Sequence, residues 1–230
     1  MNKQVLIFGA SGGLGNKLLE IFVSNNHKVI ATASNNSTIL KSKKKFKNNS
    51  VKWDVCDFKK EAQVVRIIDK YFKKKINPDI IIICSAVSRY DGLKKLSYTD
   101  LINDFKINLF SNIIINKQVL KRKMKNKKIL IISIGSSSSY NGFENTISYC
   151  SSKHGLLGAV RSINAECNKN KIFNTCVSMG SMKTNMGKKV KNQNFKHFIN
   201  PEKIAKYIYE ISLSDAEAYV EDIFFKRSKF

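Results

Sequence analysis

Val5-Leu6-Ile7-Phe8-Gly9-Ala10-Ser11-Gly12-Gly13-Leu14-Gly15 decides the fold. Four apolar residues form a strand too short for the core of a signal segment, and glycines follow at once. Leu14–Ser24 then has helical periodicity, so the glycine run joins a strand to a helix. In that setting Gly9 permits a tight turn, Gly13 lets backbone N–H groups approach a pyrophosphate, and Gly15 lets helix pack closely on strand. The helix N-terminus faces the phosphate. Gly9, Ser11, Gly12, Gly13, Leu14 and Gly15 are therefore the candidate dinucleotide-binding loop. The alternative, a merely flexible loop, leaves the strand and helix on either side unexplained.

Short β-branched runs alternate with longer amphipathic stretches along the rest of the chain. The pattern predicts strands at Gln4–Phe8, Lys28–Ala33, Val51–Trp53, Asp79–Cys84, Ile129–Ile134, Phe173–Ser178 and Tyr219–Phe225. It predicts helices at Leu14–Ser24, Lys60–Lys74, Tyr98–Lys123, Ser148–Asn168 and Pro201–Ile211. Several strands are apolar throughout, as strands buried on both faces must be. The expectation is an α/β fold: a doubly wound parallel sheet of about seven strands in a single domain over residues 1–230, with its ligand at the carboxyl ends of the strands.

Five scattered cysteines without a Cys-x-x-Cys pair argue for reduced thiols in the cytoplasm and against a metal site. The longest isoleucine runs are far too short to span a bilayer. The charge is unusual, with 41 Lys+Arg against 17 Asp+Glu, a formal +24. One reading is a partner surface for nucleic acid, membrane or an acidic carrier. The other is drift, because the excess is nearly all lysine and accompanies many Asn and Ile, as an AT-rich coding sequence would produce. Clusters at Lys41–Lys47 and Lys121–Lys128 are not interleaved with aromatics, so drift is preferred and nucleic acid is not expected as a partner.

Tyr149-Cys150-Ser151-Ser152-Lys153 places a phenol and an ammonium four residues apart, neighbours on one helix face. An ammonium beside a phenol favours the phenolate, lowering a pKa that starts near ~10 so that tyrosine can act as acid and base. Ser136 lies thirteen residues upstream, just past the fifth strand. With the Gly-x-x-x-Gly-x-Gly spacing at Gly9, Gly13 and Gly15, this set resembles the short-chain dehydrogenase/reductase family over essentially the whole chain.

That resemblance implies a Rossmann-type fold, a nicotinamide cofactor and a role for each residue. Tyr149 would be the general acid in reduction. Lys153 would lower its pKa and hold the ribose hydroxyls. Ser136 would hydrogen-bond the substrate carbonyl; Ser137 or Ser138 could substitute after a small shift. Asn108 matches the asparagine that kinks the long helix and anchors a water beside the lysine, although coincidence competes in so Asn-rich a chain. Asp54 would take the adenine amino group and Val55 a backbone contact. Ser85 and Ala86, in Cys84-Ser85-Ala86-Val87, replace the family's Asn-Asn-Ala-Gly and let backbone pass the adenosine ribose. Gly180 and Thr184 match a Pro-Gly stretch ending in Thr-x-Met, with Met179 in place of proline, and Thr184 would bond the carboxamide. The polar segment from Gly187 to Asn200 fits a lid over substrate.

After the second strand no acid is available for a ribose 2′-OH; the chain runs Ser34-Asn35-Asn36-Ser37. NADP(H) is therefore favoured over NAD(H), with Ser34 offering a hydroxyl and Lys41 or Lys43 a charge, unless Ser34 and Asn35 simply form a turn. The expected function is hydride transfer between NADP(H) and a small-molecule carbonyl or secondary alcohol. The resemblance also implies a homodimer or homotetramer. The alternative is a nucleotide-bound regulatory or scaffold protein without turnover.

Overall fold

Val5 and Ile7 point to one side of the central strand, and Leu6 and Phe8 to the other. This period-two alternation of apolar residues requires helices on both faces. The computed structural model describes residues 2–44, 51–73, 77–214 and 218–228. In chain order it runs β1 (Gln4–Phe8), α1 (Gly13–Ser24), β2 (Lys28–Ala33), α2 (Asn36–Lys43), β3 (Val51–Val55), α3 (Glu61–Lys73) and β4 (Ile80–Ile83). It continues with α4 (Tyr98–Phe105), α5 (Ser111–Arg122), β5 (Ile129–Ile134), α6 (Ile147–Cys167), β6 (Ile172–Met179), α7 (Pro201–Leu213) and β7 (Asp222–Phe225).

The seven strands form one parallel sheet in the order β3-β2-β1-β4-β5-β6-β7. The order reverses between β1 and β4, which opens a crevice beyond their carboxyl ends. One face buries Leu14, Leu18 and Phe22 of α1 and Ile204 and Ile208 of α7 against Val5, Ile7, Ile80 and Ile82. The other buries Val64, Ile67, Ile115 and Val119 of α3 and α5 against Leu6, Phe8, Ile81 and Ile83. On that side a smaller cluster seats Leu156, Leu157 and Val160 of α6 against Leu109.

Four elements differ from expectation. Helix α2 was not predicted because Asn36-Ser37-Thr38 are weak helix formers; Asn35 caps it, accepting from the Thr38 amide at 2.9 Å. The long helix expected at Tyr98–Lys123 is broken by a π-turn at Lys106–Phe110, between α4 and α5. Strand β3 runs on to Val55, which puts Asp54 and Val55 inside it. Strand β7 begins only at Asp222, and Tyr219 packs its ring on Phe173 instead.

The lysine clusters sit at helix C-termini, where cations meet unpaired carbonyls. Lys41 and Lys43 end α2, while Lys45 and Lys47 lie outside the described residues, as does Lys74 of the expected third helix. In the second cluster Lys123 Nζ donates to the carbonyls of Met124, Lys125 and Lys127, and Lys127 pairs with Asp79. Arg122 pairs with Asp69, and Lys128 lies over the Phe173 ring. Among the described residues no helix is long and apolar enough to cross a membrane.

Candidate active site

The turn after β1 depends on two glycines. Gly9 has φ +73°, and a Cβ there would meet the Ser85 amide nitrogen at 2.7 Å, so the β1 and β4 loops touch. A Cβ on Gly15 would lie 2.3 Å from the Gly9 carbonyl oxygen, which seats the first turn of α1 directly on the loop. No side chain caps the N-terminus of α1 at Gly12. Its backbone N–H groups and positive dipole end therefore remain for an anion. Thr184 packs its methyl against Gly13, where a side chain would clash at 2.5 Å. An uncapped helix end in a glycine cradle at the sheet's switch point fits a dinucleotide pyrophosphate.

Ser136, Tyr149 and Lys153 converge beyond the end of β5. Ser136 is buried and opens a turn at Ser137–Ser139; its Oγ accepts from the Ser138 amide at 3.1 Å, leaving its own proton free to donate. Ser139 Oγ returns an acceptor to the Ser136 amide at 3.2 Å, so Ser136 alone of the serine run is held in this capping geometry. Tyr149 and Lys153 share the inner face of α6, with Lys153 Nζ 5.8 Å from the Tyr149 ring centroid.

The expected pKa relation between these two groups is corrected here. Lys153 is only 1% exposed, and its Nζ donates to the Ile134 carbonyl at 2.7 Å. Burial pushes its pKa down to about 8. Tyr149 is pushed up to about 12, chiefly by burial, against a lowering by the Ser136 hydroxyl hydrogen bond. Lost hydration disfavours the charged form of both groups and outweighs the attraction between them. The Tyr149 phenol keeps its proton in this state.

Asn108 lies in the π-turn, fully buried. Its Oδ1 accepts from the Val87 amide at 3.0 Å, and its Nδ2 donates to the Val87 carbonyl and Ser152 Oγ, each at 3.0 Å. It thus ties the β4 loop to α6 one residue before Lys153. The family's paired loop asparagines are replaced in this chain, and Asn108 supplies bracing from the opposite side. Asn112 adds to it, accepting from Ser133 Oγ of β5 at 3.0 Å.

Ser11, Gly12, Gly13, Leu14, Gly15, Ala86, Ser136, Tyr149, Lys153, Gly180 and Thr184 line one cavity of about 550 Å³. Gly9 and Ser85 lie beneath it, packed on each other. Ser34 is exposed beyond β2 beside Asn35, which caps α2 rather than forming an isolated turn. Lys41 and Lys43 lie at the far end of that helix from Ser34. Asp54 is outside the cavity lining: its carboxylate accepts from Lys70 Nζ at 2.8 Å and from the Tyr71 hydroxyl. The Val55 carbonyl accepts from Arg66 at 2.6 Å.

The cavity also takes in Tyr90, Phe143, Met182, Met186 and Val190, which sequence reasoning did not single out. Their signal was positional: all lie in loops at the carboxyl ends of the strands, where ligands bind in this architecture. The segment expected as a lid forms one wall. It is pinned by a bridge between Met182 and Ile199 and by the Lys183 amide, which donates to the Ile199 carbonyl at 2.9 Å.

The family model for short chain dehydrogenases matches residues 3–194. The 3-oxoacyl-[acyl-carrier-protein] reductase FabG of Rickettsia felis is 26% identical over 219 residues, covering 95% of this chain and 88% of that protein. The FabG of Buchnera aphidicola subsp. Schizaphis graminum is 29% identical over 186 residues, covering 81% and 76%. ElxO with NADP bound superposes with a TM-score of 0.87 at 24% identity, over 99% of this chain and 97% of that one. The 4-hydroxyisoleucine dehydrogenase complexed with NADH superposes with a TM-score of 0.89 at 22% identity, over 99% and 98%. At these identities the structural likeness shows the fold.

Proposed function

The chain belongs to the short-chain dehydrogenase family and is an NAD(P)-dependent oxidoreductase, and from that premise we propose that it reduces a small-molecule carbonyl with NADPH as cofactor. The observation that carries the reading is the convergence of Ser136, Tyr149 and Lys153 with the uncapped end of α1 in one cavity. When bound, the nicotinamide cofactor supplies or accepts a hydride equivalent at the substrate carbon. The chain's own groups do the rest.

The N–H groups of the glycine loop and the head of α1 hold the pyrophosphate. Thr184 and the Gly180 backbone border the nicotinamide end, and Ser85 and Ala86 the ribose. For Asp54 to meet the adenine, its carboxylate would have to share its bond with Lys70 and Tyr71. NADPH is favoured because the end of β2 offers the Ser34 hydroxyl and no carboxylate to repel a 2′-phosphate.

At the reacting end Ser136 Oγ donates to the carbonyl oxygen as negative charge grows there. Tyr149 Oη delivers the proton. A phenol that holds its proton up to about pH 12 is a competent donor, so this arrangement favours reduction. Lys153, still charged below about pH 8, is held by the Ile134 carbonyl and stands ready for the ribose hydroxyls. Asn108 keeps the β4 loop and α6 in register around it. The family resemblance further supports a homo-oligomer, and the acyl-carrier substrates named for the FabG relatives are one carbonyl class to try.

The test is NADPH and NADH consumption, followed by absorbance, with ethyl acetoacetate, cyclohexanone, 4-nitrobenzaldehyde and a 3-oxoacyl thioester. Turnover with at least one, faster with NADPH, is expected. NADPH binding without turnover of any carbonyl would favour a nucleotide-bound regulatory protein instead.

A further inference from the structure

Arg89 and Tyr90 lie in the loop after β4, and Arg89 draws in three carboxylates. Its guanidinium meets Asp104 at 3.2 Å, Asp100 at 2.9 Å and Asp91 at 3.4 Å. The chain has 17 acids against 41 cations, so three acids on one arginine is a concentration that random surface pairing does not produce. Asp104 differs from the other two. It is 2% exposed, and the Oδ2 that accepts from Arg89 also accepts from Ser148 Oγ at 2.7 Å.

A buried carboxylate is costly unless its hydrogen bonds are complete. This one therefore fixes both partners. Ser148 immediately precedes Tyr149 at the head of α6, and Arg89 immediately precedes Tyr90. Tyr90 and Tyr149 line the same cavity, and the charge of an ionised Tyr90 would push the Tyr149 phenol up. The two loops also touch at Gly92, where a Cβ would meet Asn145 Oδ1 at 2.9 Å.

We propose that Tyr90 is a substrate-orienting residue of this site and that Asp104 is its positioning residue, clamping Arg89 to Ser148 so that Tyr90 and Tyr149 face the substrate as a fixed pair. The proposal rests on the reductase reading above. In it the Tyr90 ring and hydroxyl set the angle at which a carbonyl meets Tyr149 Oη. Asp104 touches neither substrate nor cofactor.

The experiment measures kcat and KM for whichever carbonyl of the panel is turned over fastest, and NADPH affinity by fluorescence titration. The variants are Tyr90→Phe, Ser148→Ala, Asp104→Asn and the doubles with Tyr90→Phe. Each single variant is expected to lower kcat/KM about tenfold while NADPH affinity stays within about twofold, because the clamp acts on substrate orientation. In the Tyr90→Phe background, Ser148→Ala and Asp104→Asn should each cost no more than about a further twofold, since their effect runs through Tyr90. If Asp104→Asn fails to fold, Ser148→Ala cuts only the α6 arm and answers the same question. Fully multiplicative losses, or equal losses in NADPH affinity and turnover, would overturn the clamp. An unsubstituted protein that binds NADPH but reduces no carbonyl would instead overturn the reductase reading.

Discussion

Replacing Lys153 with Met should make the cofactor-free protein more stable at neutral pH and inactive. Burial pulls the Lys153 pKa from 10.5 to about 8, a shift that corresponds to about 3 kcal/mol of cost in the charged form. The folded pKa is the lower one. Between about pH 8 and 10.5 the unfolded chain binds more protons, so the cost is complete below about pH 8 and disappears as pH rises to 10.5. Methionine removes that cost but leaves the buried Ile134 carbonyl without its 2.7 Å donor, a loss of about 2 kcal/mol. The net at pH 7 is a gain of about 1 kcal/mol, or about 3 °C in Tm for a chain of this length. At pH 10 the amine of the unsubstituted protein is largely neutral when folded and still donates its hydrogen bond, so the order reverses and the variant melts lower. Thermal unfolding of both proteins at pH 7 and pH 10, followed by circular dichroism, reads the crossing. A Tm difference of the same sign and size at both pH values would refute a burial cost on Lys153.

Cofactor choice should turn on Ser34. Ser34→Asp should shift the ratio of kcat/KM for NADPH over NADH towards NADH by at least about tenfold, since a carboxylate repels a 2′-phosphate and accepts from ribose hydroxyls; an unchanged ratio would move the selectivity elsewhere. The lysine surplus should behave as a solvated surface, with duplex DNA binding weak and steeply salt-dependent in a filter or anisotropy assay. Neutralising Lys121, Lys123, Lys125 and Lys127 together should lower Tm, through the lost Lys127–Asp79 pair and Lys123 carbonyl contacts, and leave reductase turnover within about twofold, because charges so far from the cavity are screened. Saturable DNA binding that survives high salt and vanishes in that variant would make the basic cluster a partner site.

The parts of the fold that follow from period and punctuation were legible in the sequence. Strands such as Ile129–Ile134 and the glycine turn at Gly9 follow from residue type alone. The π-turn at Lys106–Phe110 did not, because one extra residue per turn barely disturbs a hydrophobic period; its visible trace was an asparagine at position 108 inside a helical run. Helix α2 was hidden by poor helix formers and depends on the cap at Asn35. In the site, the spacing of Tyr149 and Lys153 gave their shared face but not their ionisation, which depends on burial that a linear sequence does not show. Asp54 was read as open to a ligand because the Lys70 and Tyr71 that hold it lie sixteen and seventeen residues away on α3.

Tyr149→Phe tests the central claim most directly, because it removes one hydroxyl and keeps the ring in α6. Carbonyl reduction by the variant, followed as NADPH consumption, should fall by about a thousandfold or more in kcat while NADPH affinity changes by less than about threefold, since the phenol acts on the transition state. Turnover at the rate of the unsubstituted protein would contradict the account.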